Sequence, residues 1–191
     1  MSCANKTITS GFTFVCNRTP KKGIVQNVRL INKSDIDYSA TVFGTNPLVI
    51  ESIVLNSGKS AFDFEGVKTL MNAKWNVVEK ENAFDKVSHE VMVYCSDISP
   101  TTKTEIQSMI NDSELVAIVE NKERGVAGEN AYEVYGYENG LVLAKDTAFD
   151  ANEDGGLPMT LRSVEDMEEN VVPYTFFKTD YDATKVLVDA L

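Results

Sequence analysis

The stretch Leu115-Val116-Ala117-Ile118-Val119 is a continuous apolar run that is rich in Val and Ile. Successive side chains of a β-strand point to opposite faces of its sheet. A run without polar residues therefore predicts a strand that is buried on both faces. We expect residues 115–119 to form such an interior strand.

Outward from this run, apolar and polar residues alternate along most of the chain, which is the pattern of strands with one buried face. The segments that show this pattern or extend it are residues 26–32, 38–43, 48–55, 59–64, 68–78, 87–94, 131–137, 141–144, 157–164 and 171–177. Together they predict about ten short strands.

Two turn signals predict hairpins. Asn56-Ser57-Gly58 separates residues 48–55 from 59–64, and Glu138-Asn139-Gly140 separates residues 131–137 from 141–144. Asn-Gly favours the tight turns that join antiparallel neighbours. We therefore expect each pair of flanking strands to be hydrogen-bonded together.

One helix is predicted near residues 99–111. Ser99 suits the N-cap and Pro100 the first helical position. Ile106, Met109 and Ile110 follow with the spacing of one apolar helix face. The fold class is therefore mainly β (α+β), a sandwich or partly closed barrel with one flanking helix. We expect one β domain at residues 21–165, an N-terminal arm at 1–20 and a C-terminal arm at 166–191.

The charge balance excludes some functions. The 191 residues include 18 Lys plus Arg and 29 Asp plus Glu, a net charge of −11. Residues 111–191 hold 18 of these acids and only 6 of the bases. Such a chain is unsuited to gripping duplex DNA, which requires a basic face. The acidic half forms either a solvated surface or a single acidic face.

The sequence predicts neither an enzyme nor a cofactor. His89 is the one histidine, and Cys3, Cys16 and Cys95 lack the paired spacing of metal or disulfide motifs. Nucleophile-elbow, phosphate-loop and zinc-protease motifs are absent from the sequence. No apolar run approaches the roughly 18 residues of a membrane span, and we expect no signal peptide at residues 1–10.

A weak calcium candidate lies at Asp150, Asn152 and Asp154, followed by Gly155. This spacing matches the first half of a calcium loop. Leu161 occupies the position of the bidentate Glu, so the motif is incomplete. The alternative is an acidic turn.

Several segments resemble the tail tube-like structural proteins of tailed bacteriophages, especially those of phages and prophages of gut Bacteroidales. The resemblance rests on Cys3 and Cys16 around Thr9-Ser10-Gly11, on the strand at residues 22–32, and on a later ordered series. That series is the helix, the strand at residues 115–121 and Gly136-Tyr137-Glu138-Asn139-Gly140-Leu141. It is the most specific part, and the resemblance covers roughly residues 3–165.

The resemblance implies a tail tube-like β domain and a homo-oligomeric ring, six- or twelve-fold, around a DNA channel. The ring would belong to the virion tail, assembled in the host cytoplasm beside other tail, neck or portal proteins. DNA would pass without tight binding. The hairpin and the C-terminal arm would contact neighbouring subunits through Leu48, Ile50, Phe62, Phe64, Val171, Tyr174, Phe176 and Phe177. The channel would be lined by Glu129, Glu133, Glu138 and Asp146.

Two departures from that family favour a specialised ring protein, as in the short tails of crAss-like phages. They are the long charged connection at residues 122–130 and the tail at residues 178–191. Two other classes stay open. One is a carbohydrate-binding β-sandwich in which Trp75, Tyr132, Tyr135 and Tyr137 stack on sugar. The other is a capsid decoration or internal cargo protein.

Overall fold

The computed structural model describes residues 21–66, 70–81, 83–97, 99–111, 113–147 and 156–191. The predicted N-terminal arm at residues 1–20 lies outside these ranges. So do the calcium candidates Asp150, Asn152 and Asp154.

The described residues form eleven strands, two α-helices and one 3-10 helix. The strands are β1 (Ile24–Asn32), β2 (Val42–Phe43), β3 (Val49–Ser52), β4 (Phe62–Glu65), β5 (Asn72–Val78), β6 (Lys86–Cys95), β7 (Leu115–Asn121), β8 (Tyr132–Tyr135), β9 (Leu141–Leu143), β10 (Leu157–Ser163) and β11 (Tyr174–Phe176). The helices are α1 (Pro100–Ile110), α2 (Tyr181–Asp189) and the 3-10 turn Lys33–Asp35.

All eleven strands belong to one mixed sheet that forks beside β7. One edge of β7 pairs with β1, and β4 lies beyond β1. The other edge pairs with β8 and then with β9. From β8 the sheet continues through β11 and β3 to β2, and from β9 it continues through β10 and β6 to β5. The mainly β class is confirmed, and the sheet is not closed into a barrel.

Strand β7 is buried on both faces, as predicted from its apolar run. Leu115, Ala117 and Val119 face one hydrophobic core, which also contains side chains of β1, β6 and β10. Val116 and Ile118 face a second core, built with side chains of β3, β8, β11 and α2. This strand therefore separates the two cores and is shared by both.

The predicted hairpin at Asn139-Gly140 is wrong. Strands β8 and β9 do not pair with each other, because both lie along the same edge of β7. The intervening residues leave the sheet as a loop, which is closed by a 3.0 Å hydrogen bond from Gly140 N to Gly136 O. Both glycines have positive φ, which suits them to this loop. The Asn-Gly signal marked a local turn correctly but gave the wrong strand pairing.

The hairpin predicted around Asn56-Ser57-Gly58 is also wrong. A turn does form there, since Lys59 N donates to Asn56 O at 3.0 Å and Gly58 has a φ of 76°. The strands on its two sides separate, however. Strand β3 lies between β2 and β11, whereas β4 lies beside β1.

The helix predicted near residues 99–111 is confirmed as α1, whereas α2 was not predicted. Ser99 caps α1 by accepting a hydrogen bond from Thr102 N at 3.3 Å. Asp180 caps α2 in the same way, accepting from Ala183 N at 2.8 Å. The buried residues of α2, Thr184 and Val188, are four positions apart and face the second core.

Residues 166–191 are part of the domain rather than an arm. Strand β11 pairs on one side with β3 and on the other with β8, so it occupies the interior of the sheet. Phe176 is fully buried, and the carbonyl of Leu191 accepts a hydrogen bond from Ala61 N. The apolar character of residues 171–177 thus reflects a core strand. None of the described helices has the length and apolar character needed to cross a membrane.

Candidate assembly surface and buried polar junction

Strand β5 lies at a free edge of the sheet, and five of its seven residues are exposed. This strand pairs with β6 over its whole length, from Asn72 opposite Met92 to Val78 opposite Lys86. Among the described residues no strand pairs with its other edge. That edge offers unpaired backbone N–H and C=O groups, which are a template for another strand.

The apolar side of β5 is uncovered. Trp75 and Val77 lie opposite His89 and Val87 of β6, so the four side chains share one face of the sheet. On β6 that face is buried, and His89 is 1% exposed. On β5 Trp75 is 44% exposed and Val77 is 61% exposed. The core-facing side of the sheet therefore extends onto β5, where no described element covers it.

The second free edge of this layer belongs to β4. It pairs only with β1 among the described strands, and its Phe62 is half exposed. Strands β4 and β5 are consecutive in the chain, yet they terminate opposite ends of the series β4-β1-β7-β9-β10-β6-β5. The described strands thus provide two different free edges in this layer, and β2, which pairs only with β3, is a third free edge of the sheet.

A buried polar junction stabilises the loop of residues 136–140. The carboxylate of Glu169 is fully buried and accepts from the backbone N–H groups of Glu138 and Asn139, both at 2.9 Å. Burial raises the pKa of Glu169, opposed by these hydrogen bonds. Lys33 Nζ donates to the carbonyl of Asn139 at 3.2 Å. The loop is therefore held by side chains from distant parts of the chain.

His89 belongs to the same junction. Its Nδ1 accepts from Gly136 N at 3.1 Å, which leaves Nε2 to donate to the carbonyl of Val171 at 3.1 Å. Burial lowers the pKa of His89 to about 4. The imidazole is therefore neutral near pH 7, and both ring nitrogens are engaged in structural hydrogen bonds.

Glu138, Asn170 and Lys86 form a polar chain beside this junction. Glu138 Oε1 accepts from the Tyr174 hydroxyl at 3.0 Å, and Oε2 accepts from Asn170 Nδ2 at 2.6 Å and Asn170 N at 3.1 Å. The other end of the Asn170 amide, Oδ1, accepts from Lys86 Nζ. An amine and a carboxylate thus contact the two ends of the Asn170 amide group.

The predicted inter-subunit residues divide into three groups by burial. Ile50, Tyr174 and Phe176 are buried inside the chain's own second core, so the structure corrects their assignment to a neighbour contact. Phe62 is exposed on the β4 edge. Leu48, Phe64, Val171 and Phe177 are half-buried.

The predicted channel carboxylates each have a local partner. Glu129 accepts from Val126 N and Ala127 N, Glu133 accepts from the Tyr135 hydroxyl, and Asp146 lies 3.7 Å from Arg162. Glu138 belongs to the polar chain described above. The four carboxylates thus contact four different groups, and their position on a channel stays a prediction.

The predicted sugar-stacking tyrosines are not accessible. Tyr132, Tyr135 and Tyr137 are all buried, so they cannot stack on a ligand from solvent. Of the aromatic side chains named for that role, Trp75 alone is exposed.

A cleft of about 1150 Å³ lies between α1, β9 and β10. Its apolar side includes Ile106, Val142 and Leu157, and its polar side includes Arg162 and Glu168. Among the described residues no group of His, Cys, Asp or Glu is arranged to hold a metal ion.

Sequence analysis missed Glu169 because nothing in residues 165–169 distinguishes one acid from the next. His89, the one histidine of the sequence, has a structural role, because both of its ring nitrogens are engaged in hydrogen bonds to the backbone. Both residues hold the loop of residues 136–140, and their partners in that loop lie 30 or more positions away in the chain.

Comparison of the chain with protein-family models, curated proteins and solved structures finds no match. The function is therefore argued from the surface and from the residues themselves.

Proposed function

We propose that this chain is a non-enzymatic structural subunit that assembles with copies of itself into a ring of a phage tail, around the DNA channel. The observation that carries the proposal is the free edge of β5, whose apolar side is uncovered. The tail context rests on the sequence resemblance, above all on the ordered series that ends in Gly136-Tyr137-Glu138-Asn139-Gly140-Leu141.

Two different free edges on one chain favour a head-to-tail contact. If β5 of one subunit joins β4 of the next, every subunit uses both of these edges, and the edge of β2 stays outside the contact. A contact between unlike surfaces closes into a ring when its rotation divides a full turn. The added strand would pair the free backbone groups, and the neighbour would cover Trp75 and Val77.

Association of purified protein tests this proposal. Val77→Lys places a charge on the uncovered face of β5 and should abolish rings or tubes over a range of concentrations. Val126→Lys is the matched control, because Val126 is 92% exposed in a turn distant in sequence from both edges. Light scattering after gel filtration and negative-stain images give the size and the symmetry.

The outcomes separate the alternatives. Six- or twelve-fold rings of the wild type and of Val126→Lys, with monomers of Val77→Lys, support the proposal. Trimers would favour a capsid decoration protein instead. A wild type that remains monomeric at every concentration would overturn the ring proposal.

An acidic channel would let DNA slide, because the carboxylates of the channel and the phosphates of DNA carry the same charge and repel each other. Wild-type rings should therefore bind DNA negligibly at moderate salt. Converting Glu129, Glu133 and Asp146 to Lys should create binding that weakens with salt, by about 0.9 log units per log unit of salt for each phosphate contacted. Glu138 is kept in this variant because it holds Tyr174 and Asn170. Tight binding by the wild type would contradict the sliding channel. Unchanged binding by the Lys variant would place these residues outside it.

A further inference from the structure

Lys86 and Asn170 lie directly opposite each other across an antiparallel bridge. Val87 and Glu169 exchange both backbone hydrogen bonds, with Val87 N to Glu169 O at 2.9 Å and Glu169 N to Val87 O at 3.0 Å. In an antiparallel pair the residues next to such a bridge also face each other. The backbone therefore holds the two side chains together, independently of their own contacts.

The contacts of the Asn170 amide fix its orientation. Lys86 Nζ can only donate, so it contacts the amide oxygen Oδ1. The Glu138 carboxylate accepts, so it contacts the amide nitrogen Nδ2 at 2.6 Å. The carbonyl carbon Cγ lies between these two contacts, one bond from each amide atom. An amine is thus placed on one side of a carboxamide and a carboxylate on its leaving nitrogen.

Glu138 is itself positioned by its surroundings. The Tyr174 hydroxyl donates to Oε1 at 3.0 Å, and the Glu138 backbone N–H is held by the buried carboxylate of Glu169. Both Tyr174 and Glu169 are buried. A carboxylate within hydrogen-bond distance of a reacting nitrogen can transfer its proton.

We propose that Lys86 and Asn170 join in an intramolecular isopeptide bond, with Glu138 as the catalytic carboxylate. The Lys86 ammonium first passes one proton to solvent, the lone pair thus freed on Nζ forms a bond to Cγ, and the Cγ–Nδ2 bond breaks. One proton passes from Nζ to Nδ2 by way of Glu138, which ends as a carboxylate, and ammonia leaves. The reaction needs no oxidant, reductant or further reactant, and it occurs once per chain.

Proximity is what makes this reaction accessible. An amine and an amide do not react appreciably as separate molecules in water. Groups that a fold holds in a reactive arrangement behave as if present at roughly 10⁵–10⁸ M. Here β6 supplies the amine, the segment before β11 supplies the amide, and the loop of residues 136–140 supplies the carboxylate.

The bond would lock the junction described above. It would close residues 86–170 into a covalent loop that tethers the start of β6 to the segment leading into β11. Such a loop persists in denaturant and, unlike a disulfide, in reducing agent. This inference concerns stability within one chain and does not depend on ring assembly.

Intact-mass measurement of the full-length protein tests the proposal directly. The wild type should be lighter than its sequence mass by one ammonia, whereas Lys86→Arg, Asn170→Ala and Glu138→Gln should have full sequence mass. Asn170→Asp retains a carbonyl for attack and should lose water instead. Glu138→Gln keeps an acceptor for Tyr174 but cannot carry the proton.

Peptide mapping excludes the one confounding reaction. Asn139-Gly140 can also lose ammonia, by forming a cyclic imide at Asn139. A branched peptide that joins Lys86 to Asn170 supports the proposal. Full sequence mass in folded wild-type protein would overturn it, and so would an ammonia loss that maps to Asn139 alone, without a branched peptide.

Discussion

Strands β7 and β5 are both seven residues long, yet they have opposite surroundings. The first five residues of β7 are buried and supply two cores with apolar side chains. Strand β5 has no fully buried residue, although Trp75 and Val77 lie on the core-facing side of the sheet. The difference shows that β7 is completed within the chain, whereas β5 has a face and an edge that the described residues do not complete.

The largest effect is expected at His89, which lies on buried β6 directly opposite exposed Trp75. Its folded pKa of about 4 is below its ordinary value of 6.5. Below pH 6.5 the histidine of the unfolded chain binds a proton, whereas the buried His89 of the folded chain does not until the pH nears 4. The free energy of unfolding therefore falls as the pH decreases from 6.5 towards 4. The loss should approach about 3 kcal/mol, since each pKa unit corresponds to about 1.4 kcal/mol.

His89→Gln provides the control, because it removes this titration. The free energy of unfolding, measured with denaturant from pH 7 to 4.5, should fall more steeply for the wild type than for the variant. Glu169 acts in the opposite direction, since its raised pKa favours the folded state as the pH falls. Parallel pH profiles would show that the face shared with Trp75 is open to solvent at β6 as well.

Two valines, one in β7 and one in β5, allow the burial of the two strands to be compared through the free energy of unfolding. Val119 of β7 is fully buried, whereas Val77 of β5 is 61% exposed. Val119→Ala should lower the free energy of unfolding by about 2 kcal/mol, through lost burial and a small cavity. Val77→Ala should change the free energy of unfolding of the monomer by no more than about 0.5 kcal/mol. Chemical denaturation of dilute monomer measures both, and equal losses would contradict the assignment of β5 as an uncovered strand.

The smallest effect is expected on the outer face of β5. Lys74 is 2.8 Å from Glu90, but half of its side chain is exposed. Glu90 also has Arg162 at 2.9 Å, so it remains paired when Lys74 is removed. Lys74→Ala should therefore change the free energy of unfolding by at most about 0.5 kcal/mol. A loss above 1 kcal/mol, on the order of a buried contact, would show that this side of β5 is not a solvated surface.

Local signals predicted the elements of the fold well. The apolar run of residues 115–119 predicted a strand buried on both faces, and Ser99-Pro100 predicted the start of α1; both are confirmed. Helix α2 had a usable signal, with Asp180 as N-cap and Thr184 and Val188 one turn apart, but the segment was assigned to an arm. These features depend on residues within one or two turns of each other.

The pairing of strands was not predictable in this way. Asn56-Ser57-Gly58 and Glu138-Asn139-Gly140 both form turns, and neither joins a hairpin. A strand pairs where its apolar face finds a partner, and for β8 and β9 that partner is β7. The candidate site has the same origin, because Lys86, Glu138 and Asn170 are far apart in sequence and meet only through the bridge between Val87 and Glu169.

The sequence by itself determined the β-rich class, the positions of most strands, helix α1, the double burial of β7 and the acidic charge. Each of these follows from side-chain periodicity, capping or composition, which are properties of neighbouring residues. Only the tertiary structure decided the forked sheet, the interior position of β11, the free edge of β5 and the meeting of Lys86 with Asn170. These four features depend on which distant segments bury their apolar surfaces against each other. The free energy of that burial is a property of the whole chain and cannot be assigned to any one segment.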